Sequence, residues 1–171
     1  MENNDEKKHF FNVYQSHIDS IFRFCLIKTS DRNVAQDIAQ EVFARYWQGM
    51  RERLSIENDR AYLYTIARNL ITDWYRKKKS TSLDMLQEAG VEFASDDHQA
   101  IERGAEAQEA LRVIQQLDET SQEVLTLRFV EGLPPSEIAR IIGEPVNRVS
   151  VRINRAIHKV HQLLNQKPHH E

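Results

Sequence analysis

Apolar residues recur at spacings of three and four through most of the chain, the signature of helices with one buried face. Phe10, Tyr14, Ile18, Ile21, Phe22 and Cys25 predict a first helix from about Lys8 to about Ile27. Ser30 and Asp31 are suited to cap a second, Arg32 to Gln48, with Ala35, Ile38, Ala39, Val42, Phe43 and Tyr46 inward and Asp37, Gln40, Glu41 and Arg45 outward. Gly49 can end it. Met50 to Asn58 is polar and reads as a loop. Asp59 can then cap a third helix whose inner face is Leu63, Ile66, Ala67, Leu70 and Trp74, and which ends in the basic run Arg76-Lys77-Lys78-Lys79.

After that run the pattern lapses. Residues 81–104 are rich in Ser, Asp, Glu and Ala and predict a flexible acidic linker. Periodicity resumes near Ala105. Ala107, Leu111, Ile114 and Leu117 mark a fourth helix, and Val124, Leu125, Leu127, Arg128 and Phe129 a fifth, ended by Gly132. Pro134 and Pro135 open a short sixth, since Pro is tolerated in a first turn. It has Ile138, Ala139, Ile141 and Ile142 on its apolar side and Gly143 at its end. A long last helix follows, from about Asn147 to about Leu164. No strand pattern competes. The expected fold is all-α: two small helical domains, 1–80 and 105–171, joined by the linker 81–104, with a helix-turn-helix in the second.

Composition narrows the chemistry. The five Gly and four Pro among 171 residues are too few for a turn-rich β protein. The single cysteine, Cys25, excludes an intrachain disulfide and a Cys-based zinc finger; on an apolar helix face it reads as a core residue rather than a redox switch. No apolar run reaches the ~18 residues of a membrane span, and the start Met-Glu-Asn-Asn-Asp-Glu-Lys-Lys is unlike a signal peptide, so a soluble, cytoplasmic protein is expected. The net charge of −3 is unevenly spread. Residues 1–67 carry −1, 68–79 carry +4, 80–123 carry −9 and 124–171 carry +3. Contact with phosphate needs local positive charge, not a positive total.

The most informative segment is Glu137-Ile-Ala-Arg-Ile-Ile-Gly143, followed by a short turn and then Val149 and Ile153. A helix-turn-helix needs a small residue where its helices cross, here Ala139, a turn residue, here Gly143, and an apolar residue packing the second helix back, here Val149. At 100° per residue, Val149, Ile153, Ala156, Ile157 and Val160 cluster on one side of the last helix. The other side presents Arg148, Val151, Asn154, Arg155 and His158, flanked by Arg152 and Lys159. Arg suits guanine edges and phosphates, Asn suits adenine, and Val suits a thymine methyl. The end of the third helix is a second concentration. Tyr62, Tyr64, Arg68, Asn69, Tyr75 and Arg76, with Lys77, Lys78 and Lys79, combine stacking and cationic groups suited to unpaired bases and backbone. Taken alone, the same tyrosines and Trp74 read as core or rim residues.

Three stretches in order, Asp37-Ile-Ala-Gln-Glu-Val-Phe-Ala-Arg-Tyr-Trp47, Ala61-Tyr-Leu-Tyr-Thr-Ile-Ala-Arg-Asn-Leu-Ile-Thr-Asp-Trp-Tyr-Arg76 and the C-terminal helix-turn-helix, closely resemble bacterial sigma factors of the small, two-domain extracytoplasmic-function (ECF) class. The resemblance covers about residues 8–165. It implies an RNA polymerase subunit, not an enzyme, that needs no cofactor or metal. Its partners would be core RNA polymerase, promoter DNA and an anti-sigma factor. Asp37, Gln40 and Glu41, with Phe43 and Trp47 shaping their helix, would dock on the polymerase. Tyr62, Arg68, Asn69, Arg76, Lys77 and Lys78 would recognise and open the −10 element. Arg148, Ser150, Val151, Arg152, Asn154, Arg155 and Lys159 would read the −35 element. The chain departs from the family pattern at Pro134-Pro135, where a hydroxyl-aromatic pair is usual, at Asn147, where Gly is common, and at Ser150 and Val151, where a basic residue and a Ser are common.

Two other readings have distinct signatures. A stand-alone helix-turn-helix regulator would bind a palindromic duplex without polymerase. A metal-binding helical bundle could use His158 and His161, three apart, and His169-His170, but would also need inward carboxylates. The sequence has no phosphate-cradling Gly loop and no nucleophile–base pairing of an enzyme.

Overall fold

Helix starts and stops in this chain are set by a few polar side chains. Asp31 caps the second helix, its Oδ1 accepting from the N–H groups of Asn33 (2.9 Å) and Val34 (3.0 Å). The preceding turn is closed by Thr29, whose hydroxyl donates to the Cys25 carbonyl at 2.8 Å. The computed structural model describes residues 2–85 and 112–165. The chain divides into two compact units, 1–98 and 99–171. All regular elements among the described residues are helical.

The first unit contains α1 (Glu2–Thr29), α2 (Arg32–Arg51) and α3 (Asp59–Met85). Each packs on the other two. Ile21 and Phe24 of α1, Val42 and Tyr46 of α2, and Leu63 and Tyr64 of α3 are fully buried, with the Phe24 and Tyr64 rings edge-on at 5.3 Å. The buried residues of α2 are the six expected from its periodicity plus Gly49. Three expectations change. Gly49 does not end α2, which runs on to Arg51. Asp59 is the first residue of α3 rather than its cap; Asn58 Oδ1 takes the Ala61 N–H at 2.8 Å, and Asp59 instead accepts the Tyr46 hydroxyl at 2.8 Å, with His9 Nε2 3.1 Å away. Burial, reinforced by the bond to Asp59, pushes the Tyr46 hydroxyl above its ordinary pKa, so it remains a donor. Finally, α3 continues past the basic run to Met85, beyond the expected start of the linker at 81. Residues 86–111, which hold the rest of that linker and most of the expected fourth helix, lie outside the described residues, as do His169 and His170.

The second unit begins, in its described part, with helical residues 112–115. It continues through α4 (Glu119–Leu125), a π-helical turn (Thr126–Val130), α5 (Pro135–Ile142) and α6 (Val146–Asn165). Val113, Val124, Leu127, Leu133, Ile138 and Val149 form its core. Asp118 caps α4, accepting from the Ser121 N–H at 3.1 Å. Pro134 and Pro135 occupy the N-cap and first position of α5. Gly143 ends α5 at φ +70°, the left-handed conformation that a side chain would strain. The Thr126 side-chain oxygen, fully buried in the π turn, has no hydrogen-bond partner among the described residues.

Candidate nucleic-acid interface

The α5–Gly143–α6 segment builds a helix-turn-helix from its apolar side outward. Val149, Ile153 and Ala156 of α6 are buried against the rest of the unit, while Ile157 and Val160 are half-buried at the edge of that seam. Ala139, buried in α5, lets the helices approach. Its carbonyl receives the N–H groups of both Gly143 (2.9 Å) and Glu144 (3.1 Å), which fixes the turn.

On the outer side, Arg148, Asn154, Arg155, His158 and Lys159 are exposed, as is Val151 at 49%. Ser150 and Arg152 are half-buried at the flanks. Arg148, Arg152, Arg155 and Lys159 fall at spacings of four, three and four, one straight stripe along α6. Two of these cations are held by acids of their own unit. Arg152 pairs with Glu144 of the turn at 2.9 Å. Lys159 pairs with Asp118 and lies 3.3 Å from the Ser121 hydroxyl. The Lys159 bond holds the Asp118 carboxyl well below its usual range, down to about 2. Arg148 and Arg155 have no ion-pair partner among the described residues. Glu144 and Asp118 escaped the sequence reading because their partners lie 8 and 41 residues along the chain. Neither is an i,i+3 or i,i+4 pair on a single helix, the separations at which charge pairing is legible from sequence.

On α3, Tyr62, Asn69 and Arg76 are spaced by seven and share one stripe. Asn69, Arg76, Lys77 and Lys78 are exposed and Arg68 is half-buried. Arg76 lies 3.7 Å from Asp73, and the Lys78 ammonium sits 4.9 Å from the Trp74 ring centroid. Tyr62 is half-buried, and a Cβ at Gly49 would come within 3.0 Å of its hydroxyl, so its ring closes over α2. Tyr64 is core, and Tyr75 donates its hydroxyl to the Lys28 carbonyl, tying α3 to α1.

On α2, Asp37, Gln40 and Glu41 are exposed, and Glu41 pairs with Arg45 at 2.7 Å. Beside them lies an open apolar groove of about 500 Å³ between α1 and α2, lined by Phe10, Phe11, Tyr14, Ile18, Phe43 and Trp47 among others. Phe43 is buried, so it shapes the groove's floor and the helix rather than presenting an edge, and Trp47 is half-buried. The Tyr14 and Phe43 rings meet at 4.8 Å and Phe10 and Trp47 at 5.1 Å. The expected inner face of α1 is accordingly divided. Of its expected residues, Phe10, Tyr14 and Ile18 line this groove, Phe22 is half-buried, and Ile21 and Cys25 reach the core, joined there by Val13 and Phe24, which the pattern did not single out. Periodicity could not separate the two because the apolar stripe of α1 is wider than one partner helix covers.

Two family matches cover most of the chain: Sigma-70 region 2 over residues 13–81 and Sigma-70, region 4 over residues 107–160. The ECF RNA polymerase sigma factor BldN of Streptomyces coelicolor is 27% identical over 160 residues, 91% of this chain and 60% of that protein. The RNA polymerase sigma factor YlaC of Bacillus subtilis is 26% identical over 148 residues, 85% of this chain and 86% of that protein. The sigma factor RpoE of Bartonella quintana, solved with the anti-sigma factor NepR, shares the fold with a TM-score of 0.71 at 21% identity, over 95% of this chain and 98% of that one. With both sigma-70 regions present in order, each on its own helical unit, the chain belongs to the sigma-70 family as an ECF-type RNA polymerase sigma factor, a transcription initiation factor.

Proposed function

We propose that the two units divide promoter recognition as two modules of one subunit. The first, 1–80 with the α3 extension to Met85, docks on core RNA polymerase and opens the −10 element. The second, 105–171, reads the −35 element as duplex. The observation that carries the reading is the exposed polar face of α6 opposite its buried Val149–Ile153–Ala156 seam, at the second position of a helix-turn-helix. Asn154 and Val151 suit adenine and a thymine methyl, and Arg148 and Arg155 suit guanine or phosphate. On α3, Tyr62 and Asn69 would hold an extruded base, with Arg68, Arg76, Lys77 and Lys78 on the backbone. A module that opens DNA must offset lost stacking, which aromatic and amide groups can do.

Asp37, Gln40 and Glu41, beside the apolar groove, form the polymerase-docking face. An anti-sigma factor, as found with the Bartonella relative, would restrain the protein by covering docking surfaces. The site of action is the cytoplasm, where polymerase and chromosome meet. Among the described residues no helix is long and apolar enough to cross a membrane.

The test is co-migration of the purified protein with bacterial core RNA polymerase on a sizing column. Wild type is expected to co-migrate, and Asp37→Ala and Glu41→Arg to bind at least tenfold more weakly. Wild-type binding by both variants would remove the docking assignment. A duplex-bound protein that never co-migrates with polymerase would favour a stand-alone regulator.

A further inference from the structure

The stripe Arg148–Arg152–Arg155–Lys159 carries four positive charges along one side of α6. The ion pairs make it two and two. Arg152 is 28% exposed and its partner Glu144 is 23% exposed, so this pair is half-withdrawn from solvent. Lys159 is tied to Asp118, whose carboxylate also caps α4 and is therefore fixed in place by the backbone. The backbone of Glu144 is held by its N–H to the Ala139 carbonyl, and its Oε2 is buried with no hydrogen-bond partner among the described residues. Asp118 is thus anchored at the start of α4, and Glu144 is half-withdrawn from solvent beside Arg152.

Such pairs contribute little to stability where water reaches them. Their consequence for DNA is larger. The affinity of a protein for duplex DNA rests on cations that neutralise phosphates and release condensed counterions. A cation already neutralised from within the protein brings no net positive charge to the phosphate. Arg148 and Arg155 do bring it.

We propose that Glu144 and Asp118 are specificity-determining residues for duplex reading: by neutralising Arg152 and Lys159 from within the unit, they withhold half of the cationic stripe from phosphate and limit the sequence-independent grip of α6 on DNA. The proposal rests on the reading of this unit as the duplex reader. It makes Arg152 and Lys159 positioning groups that brace α6 against the turn and α4, and leaves the uncompensated contacts to Arg148 and Arg155. Sequence-specific contacts then carry a larger share of binding, because the term common to all sequences is kept small.

The test measures binding of the full chain to a random-sequence 30-base-pair duplex between 50 and 200 mM salt. Glu144→Gln and Asp118→Asn each free one cation; the asparagine keeps an oxygen able to cap α4. Each is expected to steepen the dependence of log K on log salt by about 0.9, which widens the affinity ratio across that salt range by about 3.5-fold. Asp19→Asn in α1 matches the change in net charge and is expected to leave the slope unchanged. A reciprocal pair needs no change to the acids: Arg155→Gln is expected to lower the slope by about 0.9 and Arg152→Gln to leave it unaltered.

Equal losses of slope in Arg152→Gln and Arg155→Gln, or acid variants that match wild type, would overturn the proposal while leaving the duplex reading intact. Binding that emerges only in the acid variants would support it. Absence of duplex binding by every form at 50 mM salt, both alone and with core RNA polymerase, would remove the duplex reading itself, and the proposal with it.

Discussion

Asp118 performs two tasks with one carboxylate: it receives the Ser121 N–H at the start of α4 and the Lys159 ammonium from α6. The Lys159 bond, the largest cause, holds its pKa down to about 2, below the ordinary aspartate value of 3.8. A group stabilised in its charged form contributes fully above its unfolded pKa and loses that contribution as pH falls through the folded one. Unfolding of the second unit should therefore become easier between about pH 4 and about pH 2, partly through this residue. In Asp118→Asn that share of the acid sensitivity should vanish, read as a flatter dependence of the urea midpoint on pH. Identical pH profiles for the two proteins would show that the pair carries no such linkage. Single residues were also where sequence reading was weakest. Asn154, Arg148 and Arg155 were legible as an exposed face because helical geometry alone decides it. The commitment of Arg152 and Lys159 to acids was not, because it depends on how the turn and the start of α4 fold back on α6.

Elements were more legible. Asp31 as a cap, the buried face of α2, the proline start of α5 and the Gly143 turn all follow from local rules that tertiary packing did not override. What escaped is what a neighbouring helix decides. The α1 face divides between core and groove because α2 and α3 together cover only part of it. Gly49 reads as a stop signal, yet it sits inside α2, buried, where the Tyr62 hydroxyl of α3 approaches. Its lack of a side chain serves close packing. Gly49→Val would place a Cβ 3.0 Å from the Tyr62 hydroxyl and 3.3 Å from Leu54 Cδ1. It should lower the stability of the first unit by about 1–3 kcal/mol, as overpacking does, measured by urea unfolding. A variant as stable as wild type would mean that α3 can yield without cost. The π turn at Thr126–Val130 was also invisible, since its apolar spacing fits an ordinary helix as well.

At the scale of the molecule, the two units have separate cores and, on the proposed reading, separate DNA elements. Two modules on one chain reinforce each other because binding of the first raises the effective concentration of the second. Cutting the chain between residues 98 and 99, with both halves kept at equal concentration, should lower promoter-specific transcription with core polymerase by about 10²–10⁴-fold. Run-off transcription from a promoter bearing both elements would measure it. Full activity from the mixed halves would mean that polymerase alone holds them together. The division into two helical units was legible from the lapse of periodicity after the basic run, although α3 carries the first unit's last helix to Met85.

The paired stripe on α6 has a consequence for how such a protein can change over generations. Asp to Asn and Glu to Gln are each a single-base change in a codon. Neither touches Asn154, Val151, Arg148 or Arg155, the groups proposed to face the bases. Overall hold on the chromosome can therefore drift up or down, one carboxylate at a time, while the preferred promoter sequence stays where it is.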